Sequence, residues 1–152
     1  MTDGPVLAEL VLQGVAVIVG TADAARSPAV TRGWGPRLTD DGGLLTLCVD
    51  APEGSPTLAN LRAGGPVAVT LSRPTSYLSV QVKGPLRALG APDEGALGVA
   101  AAHVEAFIEE TSSIGVPAPV IRATVGTELV AVSVEVAERY DQTPGPGAGR
   151  AL

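Results

Sequence analysis

The residues best placed for chemistry lie between Leu44 and Ser72, where an apolar strand, a Pro/Gly/Ser turn, a short helical segment and a second apolar strand follow one another. That order sets a helix N-terminus just past the end of a barrel strand. Ser55 and Thr57 then lie beside backbone N–H groups that have no partner within the helix, where an anion such as phosphate can sit. Taken singly, Ser55 and Thr57 are ordinary turn and helix-cap residues. Other chemistries lack their residues. His103, the only histidine, falls in an amphipathic helix close to its apolar stripe and reads as a boundary or core residue rather than a base. Without it no Ser-His-Asp triad can be assembled, and one histidine with one cysteine makes no zinc set. Cys48 lies in an apolar strand pattern, has no disulfide partner and reads as a small buried hydrophobe. The acid pairs Asp40-Asp41 and Glu109-Glu110 fall in a hairpin turn and on a solvated helix face. Neither a G-x-G-x-x-G run after a strand nor a G-K-[ST] run is present. What remains is chemistry delegated to a bound cofactor, with the protein supplying position and electrostatics.

The elements that must position these residues follow from periodicity. Val6 to Gln13, ending at Gly14, predicts a short leading helix. Val15 to Gly20 is a β-branched run that reads as a strand buried on both faces, and Ala29 to Leu38 as a second strand. The TDDGG run at 39–43 supplies the positive φ angles of a hairpin and joins the second strand to a third, which predicts a three-strand meander. Val80 and Val82 alternate with polar residues within a strand over Leu78 to Leu89, bent at Gly84-Pro85. Asp93 to Ser112 switches to helical period, with Leu97, Ala101, Val104, Phe107 and Ile108 as its apolar stripe. After a Gly/Pro break at 115–119, Glu128 to Arg139 alternates as the last strand. The expected fold is mainly β (α+β), a six-stranded antiparallel split barrel with a few flanking helices over residues 1–140, followed by a Gly/Pro-rich tail over 141–152.

With 152 residues, 45% of them apolar, the chain is sized for one domain with its own core. Its net charge is −6, Lys83 is the only lysine, and the arginines are scattered, so neither nucleic acid nor an anionic membrane surface is an expected partner. The N-terminus lacks a basic leader pattern, no apolar run approaches a membrane span, and the lone cysteine suits a reducing compartment, which together predict a cytoplasmic protein.

The run "TLANLRAGGPVAVTLS" resembles the corresponding stretch of the pyridoxamine 5'-phosphate oxidase-like split-barrel flavoproteins, in which a strand, a loop, an "xNLR" turn and a "P-x-V-A-V" strand hold flavin phosphate. The resemblance covers about Gly14 to Gly84 and the last strand and tail. It implies an FMN-binding oxidoreductase that moves electrons between flavin and a small organic substrate. Two alternatives stay open: an F420-dependent reductase on the same fold, and a non-enzymatic split-barrel binding protein with weak or no cofactor. It also implies a homodimer with the cofactor at the interface. Read from the residues themselves, Arg32, Ser55, Thr57 and the N–H groups near 56–58 are the best local set for such a phosphate, although Arg32 alone reads as a solvated strand residue. Trp34, Thr46 and Cys48 offer apolar surface and a hydroxyl to the ring, and Trp34 reads equally as barrel core or dimer interface. By the resemblance, Gln81 and Lys83, in the strand reading SVQVKG, are contacts from the partner subunit. No residue is assigned as a catalytic acid or base, and no metal is expected. The chain departs from the family pattern at Thr57, where many relatives carry Lys or Arg, and at the nearby Glu53. Similar QTPGPGAG endings in a subgroup of the family imply an ordered tail over an interface, whereas composition alone describes a frayed terminus. Haem ranks last among cofactors, since His103 is the only conventional nitrogen ligand.

Overall fold

The computed structural model describes residues 3–152. Along the chain lie α1 (Asp3–Leu10), β1 (Ala16–Ala22), β2 (Pro28–Leu38), β3 (Leu44–Asp50), α2 (Pro56–Arg62), β4 (Val67–Ser72), β5 (Ser79–Gly84), β6 (Leu86–Gly90), α3 (Glu94–Ser112), α4 (Ala118–Arg122), β7 (Leu129–Glu135), β8 (Glu138–Asp141) and β9 (Arg150–Ala151). The strands form one antiparallel sheet in the order β6-β7-β3-β2-β1-β4-β5-β8-β9. The class is mainly β with a few helices, as expected. Among the described residues the strand count is nine rather than six, and the sheet is open rather than a closed six-stranded barrel. The extra strands have identifiable origins. Pro85 has no N–H to donate, so the long strand expected over 78–89 breaks there into β5 and β6. Facing it, the last strand breaks between Glu135 and Glu138 into β7 and β8. Two bonds hold the paired bends together: Glu135 N–H donates to the Pro85 carbonyl at 3.0 Å and Ala137 N–H to that of Lys83 at 3.1 Å. Because β5 and β6 are separated by Pro85 alone yet lie in distant parts of the sheet order, the sheet must curl around an interior.

That interior is filled by Val17 and Val19 of β1, Leu45, Leu47 and Val49 of β3, Val69 and Leu71 of β4, and Val132 and Val134 of β7. Leu7 and Leu10 of α1 and Leu58 and Leu61 of α2 add to it. β1 alternates strictly between buried and half-buried positions, which corrects the expectation of a strand buried on both faces. Val17, Val19 and Thr21 point inward while Ala16, Ile18, Gly20 and Ala22 face out.

A second core lies on the outer surface of β2 and β3. Trp34 and Cys48, cross-strand partners, are covered by Ala96, Ala100, Val104, Phe107 and Ile108 of α3 and by Ile121 of α4. The Asp93 carboxylate starts α3 by accepting the Ala96 N–H at 2.7 Å. The buried stripe is rotated from the expected one: Ala96 and Ala100 are buried, whereas Leu97 and Ala101 are exposed. Small residues lie inward because helix and sheet approach closely at Gly35 (φ +65°), where a Cβ would come within 2.8 Å of the Ala100 backbone. His103 ties the layers together. Its Nδ1 accepts the Gly35 N–H at 3.0 Å, so the ring proton sits on Nε2 and is donated to the Val15 carbonyl at 2.9 Å. The α4 turn, hidden in sequence within a Gly/Pro break, was not expected.

The tail is ordered and belongs to the sheet. Gln142 N–H donates to the Ser79 carbonyl at 2.9 Å, and Ser79 N–H donates to the Thr143 hydroxyl at 3.0 Å. The chain then returns as β9, with Leu152 N–H on the Arg139 carbonyl at 2.9 Å.

Candidate functional site

Strand alternation sets two rows of side chains on the outer face of β2, β1, β4, β5 and β8. One row, read from the strand registers, runs Arg32, Ile18, Thr70, Gln81, Tyr140. The next runs Val30, Gly20, Ala68, Lys83, Glu138. α3 and α4 cover the outer face farther along β2 and β3 and leave these rows open: Val30 is 69% exposed. Arg32 is half-buried and forms no ion pair among the described residues. The Gln81 amide donates to the Thr70 hydroxyl at 3.0 Å, which orients it along its row. The Lys83 ammonium lies 5.0 Å from the centre of the Tyr140 ring. The Tyr140 hydroxyl donates to the Glu138 carboxylate at 3.0 Å, and that bond pushes the phenol's pKa up. Arg32, Gln81 and Lys83 are therefore brought together on one surface.

The remaining expected residues lie elsewhere. The Ser55 hydroxyl caps α2 by accepting the Leu58 N–H at 3.2 Å. Thr57 is 4% exposed and lies on the buried side of α2. Glu53, the carboxylate that counts against an anion here, is neutralised by a two-pronged pair with Arg62 at 2.7 and 3.0 Å, which holds its pKa below the usual range. Thr31, on the opposite face of β2 from Arg32, donates to the Asp50 carbonyl at 2.7 Å and ties β2 to the end of β3 just before this connection. Thr46 lies on the outer face of β3 opposite Arg37 and Ser133, separated from Arg32 by the covered Trp34–Cys48 pair.

Trp34 and Cys48 are 2% and 1% exposed, which matches the core reading of each and leaves neither as open surface for a ring. They are the seat of α3. Trp34 packs against His103 and Phe107 at centroid distances of 5.8 and 6.1 Å, and its indole N–H has no hydrogen-bond partner among the described residues. Burial raises the pKa of the Cys48 thiol, which keeps it protonated. Reading by motif missed Ile18, Gly20, Ala68, Thr70 and Tyr140. The available signal was the run of small outward residues on β1 and β4, Ala16, Gly20, Ala22, Ala68 and Ser72, interrupted only by Ile18 and Thr70.

No family model matches this sequence, and no curated protein matches it. Solved structures do match its fold. HupZ from Group A Streptococcus aligns over 93% of this chain and 95% of its own at 18% identity, with a TM-score of 0.53. An F420 reductase aligns over 86% and 93% at 16% identity, with a TM-score of 0.56. A pyridoxamine 5'-phosphate oxidase-related, FMN-binding protein from Nostoc punctiforme aligns over 94% and 85% at 11% identity, with a TM-score of 0.52. The fold is that of the pyridoxamine 5'-phosphate oxidase-related proteins, as the TLANLR resemblance implies.

Proposed function

We propose that this chain is an FMN-binding oxidoreductase of the pyridoxamine 5'-phosphate oxidase-like type, holding its cofactor on the open outer face, with a second copy packed over it. The observation that carries the reading is Arg32, without an ion pair among the described residues, in one row with Thr70 and Gln81 on an outer face that α3 and α4 leave open. Arg32 is the cation for the cofactor's phosphate, and Gln81 supplies an amide at the ring. The flavin, once bound, exchanges electrons with a small organic substrate, and the protein's part is to orient it and exclude water. A partner subunit on this face would cover Val30 and Ile18, which a single chain leaves open or half-open. The matching F420 reductase fold keeps deazaflavin as the alternative cofactor. F420 carries a longer acidic tail, and the two rows hold only Arg32 and Lys83 as cations, which favours FMN.

Two observations favour a second reading. The surface at Trp34 and Cys48 is filled by α3 and Thr57 lies on the buried side of α2, as suits a split barrel that holds a cofactor weakly or not at all and works as a binding protein. Titration with FMN, read by flavin fluorescence, separates the two. Saturable binding that weakens about 10- to 100-fold in Arg32→Ala, the scale of a lost charge-assisted hydrogen bond, supports the first reading. Equal affinity in both proteins would remove Arg32 from the site.

A further inference from the structure

A groove of about 580 Å³ opens where the end of β1 and the start of β4 meet the β5–β6 bend. Gly20 and Ala68, cross-strand partners facing outward, line it together with Gly64 and Pro66 beyond α2 and with Pro85. Neither Gly20 nor Ala68 reaches past a Cβ, and a Cβ added at Gly20 would meet only the Ala68 carbonyl, at 3.9 Å. The floor is therefore flat. Two charged side chains of the lining, Lys83 and Glu138, face each other across strands yet form no ion pair. Tyr140 occupies both, its ring against the Lys83 ammonium and its hydroxyl on the Glu138 carboxylate. The lysine keeps donors free for a ligand, while the nearby glutamate disfavours a second negative charge.

We propose that this groove binds a small planar aromatic acid carrying a single carboxylate, its ring against Gly20 and Ala68 and its carboxylate on Lys83. The volume lies within the ordinary range for small-molecule sites, about 300–1,000 Å³. If the cofactor reading above holds, this acid is the small organic substrate. The groove is formed by one chain, so binding does not depend on that reading.

Anthranilate, a fluorescent planar monoacid, is the probe, titrated into the full chain with no cofactor added. Lys83 is the only lysine, so mass spectrometry after amine acylation reports directly on its accessibility. The expected result is saturable binding that protects Lys83 from acylation and weakens tenfold or more in both Ala68→Leu, which fills the floor, and Lys83→Met, which removes the cation. Thermal melting of each variant establishes that it is folded. Absence of saturable binding, or affinity unchanged in both folded variants, would overturn the proposal. Aniline binding as tightly as anthranilate would overturn the role of Lys83. An outcome in which FMN binds and anthranilate does not sinks this inference alone, and the reverse sinks only the cofactor reading.

Discussion

Gly84→Ala is expected to destabilise the protein by about 3 kcal/mol or more, enough to leave a domain of this size largely unfolded under mild denaturant. A Cβ at Gly84 would lie 1.8 Å from the Glu135 carbonyl oxygen and 2.8 Å from its carbon, and neither is the end of a flexible side chain. The two bent strands, β5–β6 and β7–β8, cross at this point, and their bridging bonds from Glu135 N–H to Pro85 and from Ala137 N–H to Lys83 leave no slack. Relieving the contact means separating the bends. Gly98→Ala supplies the contrast: Gly98 lies in α3 with nothing within 4 Å of an added Cβ, and the change is expected to stabilise by about 0.5–1 kcal/mol through helix propensity. Urea unfolding midpoints measure both, and a Gly84→Ala midpoint equal to that of the parent would mean the bends are not packed as described.

His103→Leu is expected to cost about 2–5 kcal/mol although it conserves much of the volume, because it strands two buried backbone groups, the Gly35 N–H and the Val15 carbonyl. The same residue predicts a specific acid response. Burial lowers the folded-state pKa of His103 below its ordinary 6.5, with the bond to Val15 opposing only in part. The unfolded chain therefore binds a proton that the folded chain refuses. The stability that His103 contributes is fully present above about pH 6.5 and is lost as pH falls through the lowered folded value, with a slope of up to about 1.4 kcal/mol per pH unit. Glu53, Glu105 and Glu110 are held below the ordinary glutamate value of 4.5 by hydrogen bonds to Arg62, Arg122 and Thr75, and they act in a lower window. Unfolding free energy measured from pH 7.5 to 5 is expected to decline in the parent and to stay flat in His103→Leu; parallel curves would show that the imidazole is not the titrating group.

Much of the fold is legible because local signals and burial agree. The TDDGG hairpin, the helical period that begins at Asp93, the alternation of Val80 and Val82 and the bend at Gly84-Pro85 each rest on nearby residues. The structural reading of His103 and Cys48 was also available, since both fall in apolar patterns, and both are buried. What depended on neighbours distant in sequence was not legible. Whether Ala96 or Leu97 faces the sheet is decided by the close approach at Gly35, which favours the smaller side chain. The covering of Trp34 and Cys48 follows from where α3 docks, which no residue in β2 or β3 announces. The candidate site suffered most for the same reason: Arg32, Gln81 and Lys83 share a face through registers spanning four strands, while Ser55 and Thr57, adjacent in sequence to the best motif, are occupied in capping and packing.

The central claim is that the open face of β2, β1, β4 and β5 holds a flavin. The visible absorption spectrum of the freshly purified full chain, with mass spectrometry of whatever small molecule is released on denaturation, tests it most directly. The account predicts a flavin spectrum and released FMN, or a chain isolated empty that acquires the spectrum when FMN is added. A colourless protein that takes up neither FMN nor F420 on titration would contradict it and leave the split barrel as a binding protein without a redox cofactor.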